Sequence, residues 1–286
     1  MNVDPQIQDV ISRVPAWQNA RTISVECQKG GLTNANYVLT VDGERFVLRL
    51  SGDNAAQLGI DRPTERDAMM AASKVGIAPE VILFTLPEGH LVTRFIEGGR
   101  EWTIDEFKDP AVIRRVAETM IQVHNLPPIA GQFSPYRDIE QRLEVVRARG
   151  ITLSRQIDRL LEKMRQIERQ RAMAPLIGLC HNDPFHNNFI DDGRVRLLDW
   201  EFAGMGDVFY DLASVGHFFA AEQSAYLLEC YFGQVTNSAA QILYDMWFIV
   251  AFWNATWALL QIGHPHADFD YAAMAEHVFS RMEMRL

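Results

Sequence analysis

Cysteine is scarce in this sequence. Cys27, Cys180 and Cys230 are the only three in 286 residues, too few and too scattered for a disulfide framework or a thiolate zinc site. A reducing compartment is therefore expected, with the cytoplasm as default. An excess of basic charge is also missing: 27 Lys and Arg stand against 37 Asp and Glu, a net charge of −10. A nucleic-acid or anionic-membrane partner would want a basic face to displace counterions, so neither is expected, and a cationic or neutral small ligand suits this charge better. The opening residues MNVDPQIQDVISRV lack the basic-then-apolar order of a signal peptide. One uncharged run, Met246 to Ala267, is long enough to cross a bilayer. Asn254, Thr256, Gln261, His264, Pro265 and His266 interrupt it, and a helix apolar all round in a large chain is expected to be buried.

What is present is an ordinary globular composition, 48% apolar and 22% charged, with enough material for one large domain or two smaller ones around a cleft. Asp4, Pro5 and apolar residues at Ile7, Val10, Ile11 and Val14 predict a capped, short amphipathic helix. The period then changes to two. Thr22 to Cys27, Tyr37 to Val41 and Arg45 to Leu50 read as strands, the last two joined by Asp42-Gly43, the dipeptide of a type I′ hairpin. A helix is predicted from Arg62 to Lys74, then strands at Val81 to Phe84 and His90 to Ile96 around Pro87-Glu88-Gly89. From there helical patterns dominate: Ile104 to Asn125, Ile139 to Arg149, Leu153 to Arg171, and Ala221 onward. The expected organisation is an α+β chain with a small sheet-and-helix lobe, residues 1–97, a hinge near 94–99, and a larger mainly helical lobe, residues 98–286.

The chemistry concentrates in a loop-rich island, residues 176–215. Two short apolar runs, Asn188 to Ile190 and Val195 to Leu198, are joined by Asp191-Asp192-Gly193 and predict a hairpin. His181, Asp183 and Asn188 lie before or at its first strand; Asp199 and Glu201 follow its second. The start of one strand and the end of the next meet at one end of a hairpin, so Asp183, Asn188, Asp199 and Glu201 are expected around one point. Hard oxygen donors of this type suit Mg²⁺, which takes one or two carboxylates together with phosphate oxygens and water. Phosphoryl transfer is the chemistry that needs such a set.

The order His-x-Asp, Asn five residues after that Asp, then a strand and Asp-Trp-Glu resembles the aminoglycoside phosphotransferase and choline kinase superfamily. The segments GGLTNANYVL (Gly30 to Leu39), FVLRLSG (Phe46 to Gly52), IDRPTE (Ile60 to Glu65) and WNATW (Trp253 to Trp257) resemble bacterial choline kinases. The resemblance implies a two-lobed protein-kinase-like fold and a small-molecule kinase that uses ATP and Mg²⁺. It implies Asp183 as catalytic base, His181 as a brace for that loop, and Asn188 and Asp199 as metal ligands. Arg49 would contact phosphate with Glu65 as its ion-pair partner. Thr33 and Asn34 would reach the phosphates, although Gly30-Gly31 is no GxGxxG, and adenine would dock at Arg94, Phe95 and Ile96. For the acceptor, Glu201, Trp200, Tyr210, Trp253 and Trp257 are candidates for a counter-charge and an aromatic cage around a quaternary ammonium.

The acceptor expected is a small amino alcohol, choline foremost, with ethanolamine, thiamine, an amino sugar or an aminoglycoside as alternatives. Structural readings stand beside these. Trp253 and Trp257, four apart on an apolar helix, could be core; Arg49 and Glu65 could be a surface pair worth ~0–1 kcal/mol; Asp191 and Asp192 are turn formers; Asp207 and Asp211 read as caps or braces. A different class is a metal-dependent hydrolase or oxygenase using His181, Asp183 and His186. Another is a silent nucleotide-binding module. No oligomeric state follows from the sequence.

Overall fold

A computed structural model describes residues 4–28, 34–52, 55–263, 269–284 and 286. The chain forms two compact units, Met1–Trp102 with Asn187–Ala203, and Thr103–His186 with Gly204–Leu286. Against the expected break at 97/98, the first unit runs on to Trp102 and also takes in the island's hairpin. The class is α+β as expected, with the sheet in the first unit and helices dominating the second.

The first unit begins with α1 (Pro5–Ser12), whose N-cap Asp4 accepts a hydrogen bond from the Gln6 amide at 2.8 Å. It continues through β1 (Ile23–Gln28), β2 (Ala35–Val41), β3 (Glu44–Leu50), α2 (Ala55–Leu58), α3 (Arg62–Lys74), β4 (Val81–Phe84), β5 (Leu91–Arg94) and β6 (Arg100–Glu101). The antiparallel sheet runs β1-β2-β3-β5-β4. Asp42 and Gly43 both take positive φ, 48° and 91°, the requirement of a type I′ turn and the reason Asp-Gly serves there. Strand alternation sorts β3. Phe46, Leu48 and Leu50 enter a core with Ile7, Val10 and Trp17, while Val47 and Arg49 line a cavity on the other face.

In the second unit stand α4 (Ile104–Phe107), α5 (Pro110–His124), α6 (Pro135–Ala148), α7 (Ile157–Ala172) and β7 (Ile177–Cys180). The hairpin β8 (Phe189–Asp191) and β9 (Val195–Leu197) returns to the first unit, and β10 (Gly204–Asp207), α8 (Val208–Val215), α9 (Ala221–Phe232), α10 (Asn237–Gln261) and α11 (Tyr271–Glu283) complete the second. The helix expected over Ile104 to Asn125 is two helices, because Pro110 lacks the amide to continue α4 and Asp109 caps α5 instead. α6 starts earlier than expected, at Pro135, behind its cap Ser134. α10 contains most of the uncharged run; its residues Met246, Phe248 to Trp253 and Leu259 to Gln261 are buried inside the protein, as expected for a core helix.

Long-range pairing explains where the hairpin sits. β8 pairs with β6, Arg100 opposite Asp191 and Glu101 opposite Ile190. The Leu197 amide donates to Ile77 O at 2.8 Å, and Arg194 and Arg196 donate to the carbonyls of Val75 and Gly76. Gly99 permits the approach: a Cβ there would stand 2.8 Å from Ile190 Cδ1 and 2.9 Å from Ile96 Cγ2.

Candidate active site

In the first unit a buried ion network joins β3, α3 and the chain after β9. Arg49 pairs with Glu65, and with Asp199 at 3.4 Å. Arg62 pairs with Glu65 at 2.6 Å and Glu201 at 3.5 Å. Arg49 and Glu65 keep only 7% and 1% of their surface open, which removes the surface-pair reading. The Arg49 guanidinium is held above its usual range, the cost of burial being outweighed by Glu65, Asp199 and Glu201. Two guanidinium groups thus face three carboxyl groups. Arg62 was not foreseen; its spacing of three from Glu65 on α3 was the available signal. Asn34 donates from Nδ2 to Glu201 at 3.0 Å and accepts from the Gly52 amide at 3.4 Å. Thr33 lies outside the described residues.

Of these groups Asn34, Arg49 and Asp199 border a cavity of about 610 Å³ within this unit. Arg49, Asn188 and Asp199 line it, as do Arg94, Phe95 and Ile96, the strand exit expected for adenine. Apolar Val47, Leu91 and Ile190 supply walls and Asn34 a polar rim, the mixture a ligand pocket of this size commonly shows. Arg94 also ties to Glu80 at 2.6 Å and Glu44 at 3.2 Å, so its guanidinium is held at the outer edge. Asp199, two residues after β9, takes a positive φ of 59°, a strained conformation that aspartate tolerates better than most residues. Its side chain is 40% open. Desolvation by the surrounding protein, then the neighbouring Glu201 charge, push its carboxyl up to about 7 against the pull of Arg49. Asn188 and Asp199 together offer an amide oxygen and a carboxylate to one space, a donor set that fits Mg²⁺.

In the second unit the loop His181–Asp183 follows β7 and hangs from one carboxylate on α8. Asp211 accepts from the His181 amide at 2.8 Å and the Asn182 amide at 2.7 Å. His124 Nε2 lies 3.0 Å from Asp211, and His124 Nδ1 lies 2.7 Å from the Tyr231 hydroxyl. Asn182 takes a positive φ of 66°, held by this anchorage. The Asp183 amide donates to His181 Nδ1 at 3.3 Å, a bracing contact of the kind expected of His181. Asp183 itself is half-buried. His124, without a role in the sequence reading, is a member of this anchor. Ligand atoms of His124, Cys180 and Asp211 lie within 4.8 Å of one another, but both histidine nitrogens and both Asp211 oxygens are engaged, so the group serves as a brace. The expected constellation is therefore divided: His181 and Asp183 stand in the second unit, Asn188, Asp199 and Glu201 in the first.

The candidates for the acceptor are packed tightly. Trp200 and Tyr210 keep 0% and 1% of their surface open and Trp253 keeps 2%, so in this conformation these rings present no face to a ligand. Trp200 Nε1 donates to Leu197 O at 3.0 Å. In the second unit Phe133, which has no signal in the sequence, stands 5.3 Å from the Tyr210 ring and 6.4 Å from Trp253. The Trp253 face already carries a cation: the Arg142 guanidinium lies 3.9 Å from its centroid. Burial pushes Arg142 down to about 10, opposed by Asp138, to which Trp253 Nε1 donates at 3.1 Å. Trp257 turns elsewhere, 5.8 Å from the Tyr271 ring of α11. Four residues apart on α10, the two tryptophans serve different neighbours.

The bland expectations also find their places. Asp191 and Asp192 accept from the Gly193 and Arg194 amides within the turn, and Asp207 caps α8. His186 lies among Phe107 and Phe218. Among the described residues, His181, Asp183 and His186 do not bring three ligand atoms within reach of one ion, which counts against a hydrolase or oxygenase centre built on them.

The phosphotransferase enzyme family model matches residues 28–234, and the chain belongs to that family. Protein LicA of Haemophilus influenzae is 26% identical over 221 residues, covering 73% of this chain but 62% of the relative, so the chain spans less than two thirds of that relative's length. Among solved structures, a choline/ethanolamine kinase family protein from Mesorhizobium loti has a TM-score of 0.79 at 27% identity, covering 98% of this chain and 93% of the other. A LicA solved in complex with AMP shares the fold, with a TM-score of 0.76 at 20% identity and coverage of 97% and 98%.

Proposed function

We propose that this protein transfers the γ-phosphate of ATP to the hydroxyl of a small amino alcohol, choline foremost, with Mg²⁺ as cofactor. One observation carries the reading: Arg49, Asn188 and Asp199 line the same cavity as the strand exit Arg94–Ile96, which joins phosphate-binding, metal-binding and base-docking chemistry in one pocket. Family membership and the AMP bound to a LicA of the same fold support a nucleotide there. Asn188 and Asp199 would hold the metal, which would supply positive charge to neutralise the phosphates. Arg49, oriented by Glu65, supplies a fixed positive charge for the same phosphates. Asp183 orients the acceptor hydroxyl and takes its proton at the carboxylate. His181 and Asp211 hold the Asp183 backbone so that this carboxylate is placed before the acceptor arrives.

A second reading of the acceptor rests on Trp253. Because Arg142 occupies that ring face, a primary amine or a sugar, which needs carboxylates and hydroxyl-directed hydrogen bonds rather than aromatic faces, fits the described side chains as well as a quaternary ammonium does. The three cysteines are unbridged, in keeping with a reducing, cytoplasmic setting.

An ATP-coupled assay over choline, ethanolamine, thiamine, amino sugars and aminoglycosides tests both readings. Turnover with choline above the others supports the first, turnover with a primary amine or sugar the second, and no acceptor-dependent ATP consumption would overturn phosphotransfer. With the preferred acceptor, Asp183→Ala is expected to lower kcat ~10²–10⁴-fold while ATP–Mg²⁺ binding is retained. Undiminished kcat would remove Asp183 as the base.

A further inference from the structure

A second cavity, of about 370 Å³, lies wholly within the second unit and takes no part in the chemistry above. Its two long walls are helical stripes. α9 contributes Ala221, Ser224, Ala225 and Leu228, and α10 contributes Ala240, Leu243, Tyr244 and Trp247, both at the i, i+3, i+4, i+7 spacing of one helix face. Small residues on the α9 side leave a slot where large ones would interdigitate. The end wall is flat: the His217 imidazole stacks on the Trp247 indole at 5.7 Å and 16°, locked by the Trp247 Nε1 hydrogen bond to His217 O.

The charge of the slot runs against that of the chain. In a protein with ten more acidic than basic residues, no carboxylate lines this cavity, and Arg281 does. Arg281 is exposed, with its guanidinium 5.5 Å from the Trp247 ring centroid. A planar apolar wall with one cation at its rim matches a planar aromatic body carrying one carboxylate: the ring lies along His217 and Trp247, and the anion meets the guanidinium in a charge-assisted, fork-shaped contact. The volume is in the range of small-ligand sites. We propose that this slot binds an aryl or indolyl monocarboxylate. Its occupancy is felt at the Asp183 loop, because the His217 ring edge meets Phe185 at 5.6 Å and the Phe185 amide donates to Asp183 O at 2.9 Å.

Three indole probes separate ring from charge: indole-3-acetate, 3-methylindole and tryptamine, titrated calorimetrically into the full chain. Indole-3-acetate is expected to bind with a Kd on the order of 0.1–1 mM, at least tenfold more tightly than tryptamine. Arg281→Gln should erase that preference, and Ala225→Phe or Ala240→Phe, which fill the slot from either wall, should abolish binding. The two fillings guard against one of them failing to fold, checked by circular dichroism. Tryptamine binding as well as indole-3-acetate, or wild-type affinity in both filled variants, would overturn the site. Amide hydrogen exchange at residues 185 and 186 should slow on saturation with indole-3-acetate; unchanged exchange would overturn the link to the Asp183 loop. Neither readout depends on phosphotransfer.

Discussion

The two units hold their functional groups by different physics. In the first, charges restrain charges: Arg49 and Arg62 are fixed by Glu65, Asp199 and Glu201, most of them buried. In the second, a single buried carboxylate, Asp211, gathers two backbone amides and a histidine. The first arrangement fixes side chains, and the second fixes backbone; in the proposed reaction the field of the first acts on phosphate and the second places Asp183. A network of charges fails by leaving a buried orphan, whereas a hub of hydrogen bonds fails by loosening. Substitutions at the centre of each should separate these failures.

The largest effect on stability is expected at Glu65. Glu65→Gln keeps the shape of the side chain but takes from Arg49 and Arg62 the carboxylate they share, leaving each only its longer contact, to Asp199 at 3.4 Å and to Glu201 at 3.5 Å; breaking a buried pair costs up to about 3–5 kcal/mol. The urea midpoint should fall accordingly, and nucleotide binding should weaken because Arg49 loses its orientation. An unfolding free energy within 1 kcal/mol of wild type would mean that the network relaxes into solvent, and the contrast between the units would disappear.

Asp211→Asn tests the other pole. The amide can accept with one oxygen only, so its NH₂ is set against at least one of the three donors now served, a loss of about 1–3 kcal/mol. Amide exchange at His181 and Asn182 should accelerate more than exchange elsewhere in the second unit. If exchange rises uniformly instead, Asp211 is a general core contact and the loop has another anchor.

A pH series sharpens the comparison without mutation. The strongly buried phenol of the second unit, Tyr210, is held well above its usual range by burial, and burial also raises Tyr136 and Tyr231. Raising a phenol's folded pKa keeps its proton on in the folded state while the unfolded state releases it above pH ~10, so stability falls as pH rises past that point. Tyr210 alone is expected to cost ~1 kcal/mol near pH 10.5–11, with comparable amounts from the other two. Tm read at pH 8 and 10.5 should drop in wild type and drop less in Tyr210→Phe; an equal drop would assign the alkaline loss elsewhere.

What was legible in the sequence follows the range of the interactions involved. The Asp4 cap, the Asp42-Gly43 turn and the exact span of α3, Arg62–Lys74, depend on neighbours within a few residues, and local signals describe them well. β7 and β10 pair at Gly178 opposite Gly206 and Cys180 opposite Gly204; glycine-rich strands carry no period-two apolar pattern, so that sheet read as loop. The unit to which β8 and β9 belong is decided by pairing with β6, some ninety residues earlier in the chain. The candidate site divides in the same way. Arg49 with Glu65 was readable from order along the chain, but Arg62, His124 and Phe133 enter only through tertiary contacts, and the burial of Trp253 under Arg142 could not be seen from α10 alone.

The smallest effect is expected at Asp192, and it tests whether proximity in sequence to the site matters. Asp192 stands in the same hairpin as Asp199, and both are aspartates beside an arginine partner. Asp192 pairs with Arg196 at 2.8 Å, and that hydrogen bond holds its carboxyl below the usual range, whereas burial and Glu201 push Asp199 up to about 7. A surface pair of this type is worth ~0–1 kcal/mol, and the turn's other requirement, a positive φ of 100° at Gly193, does not depend on it. Asp192→Ala should therefore lower the unfolding free energy, read from urea titration, by less than 1 kcal/mol and leave metal-dependent nucleotide binding unchanged, while Asp199→Ala should lose that binding. Equal binding defects in the two variants would show that the hairpin's fold, rather than the Asp199 carboxylate, governs the cavity.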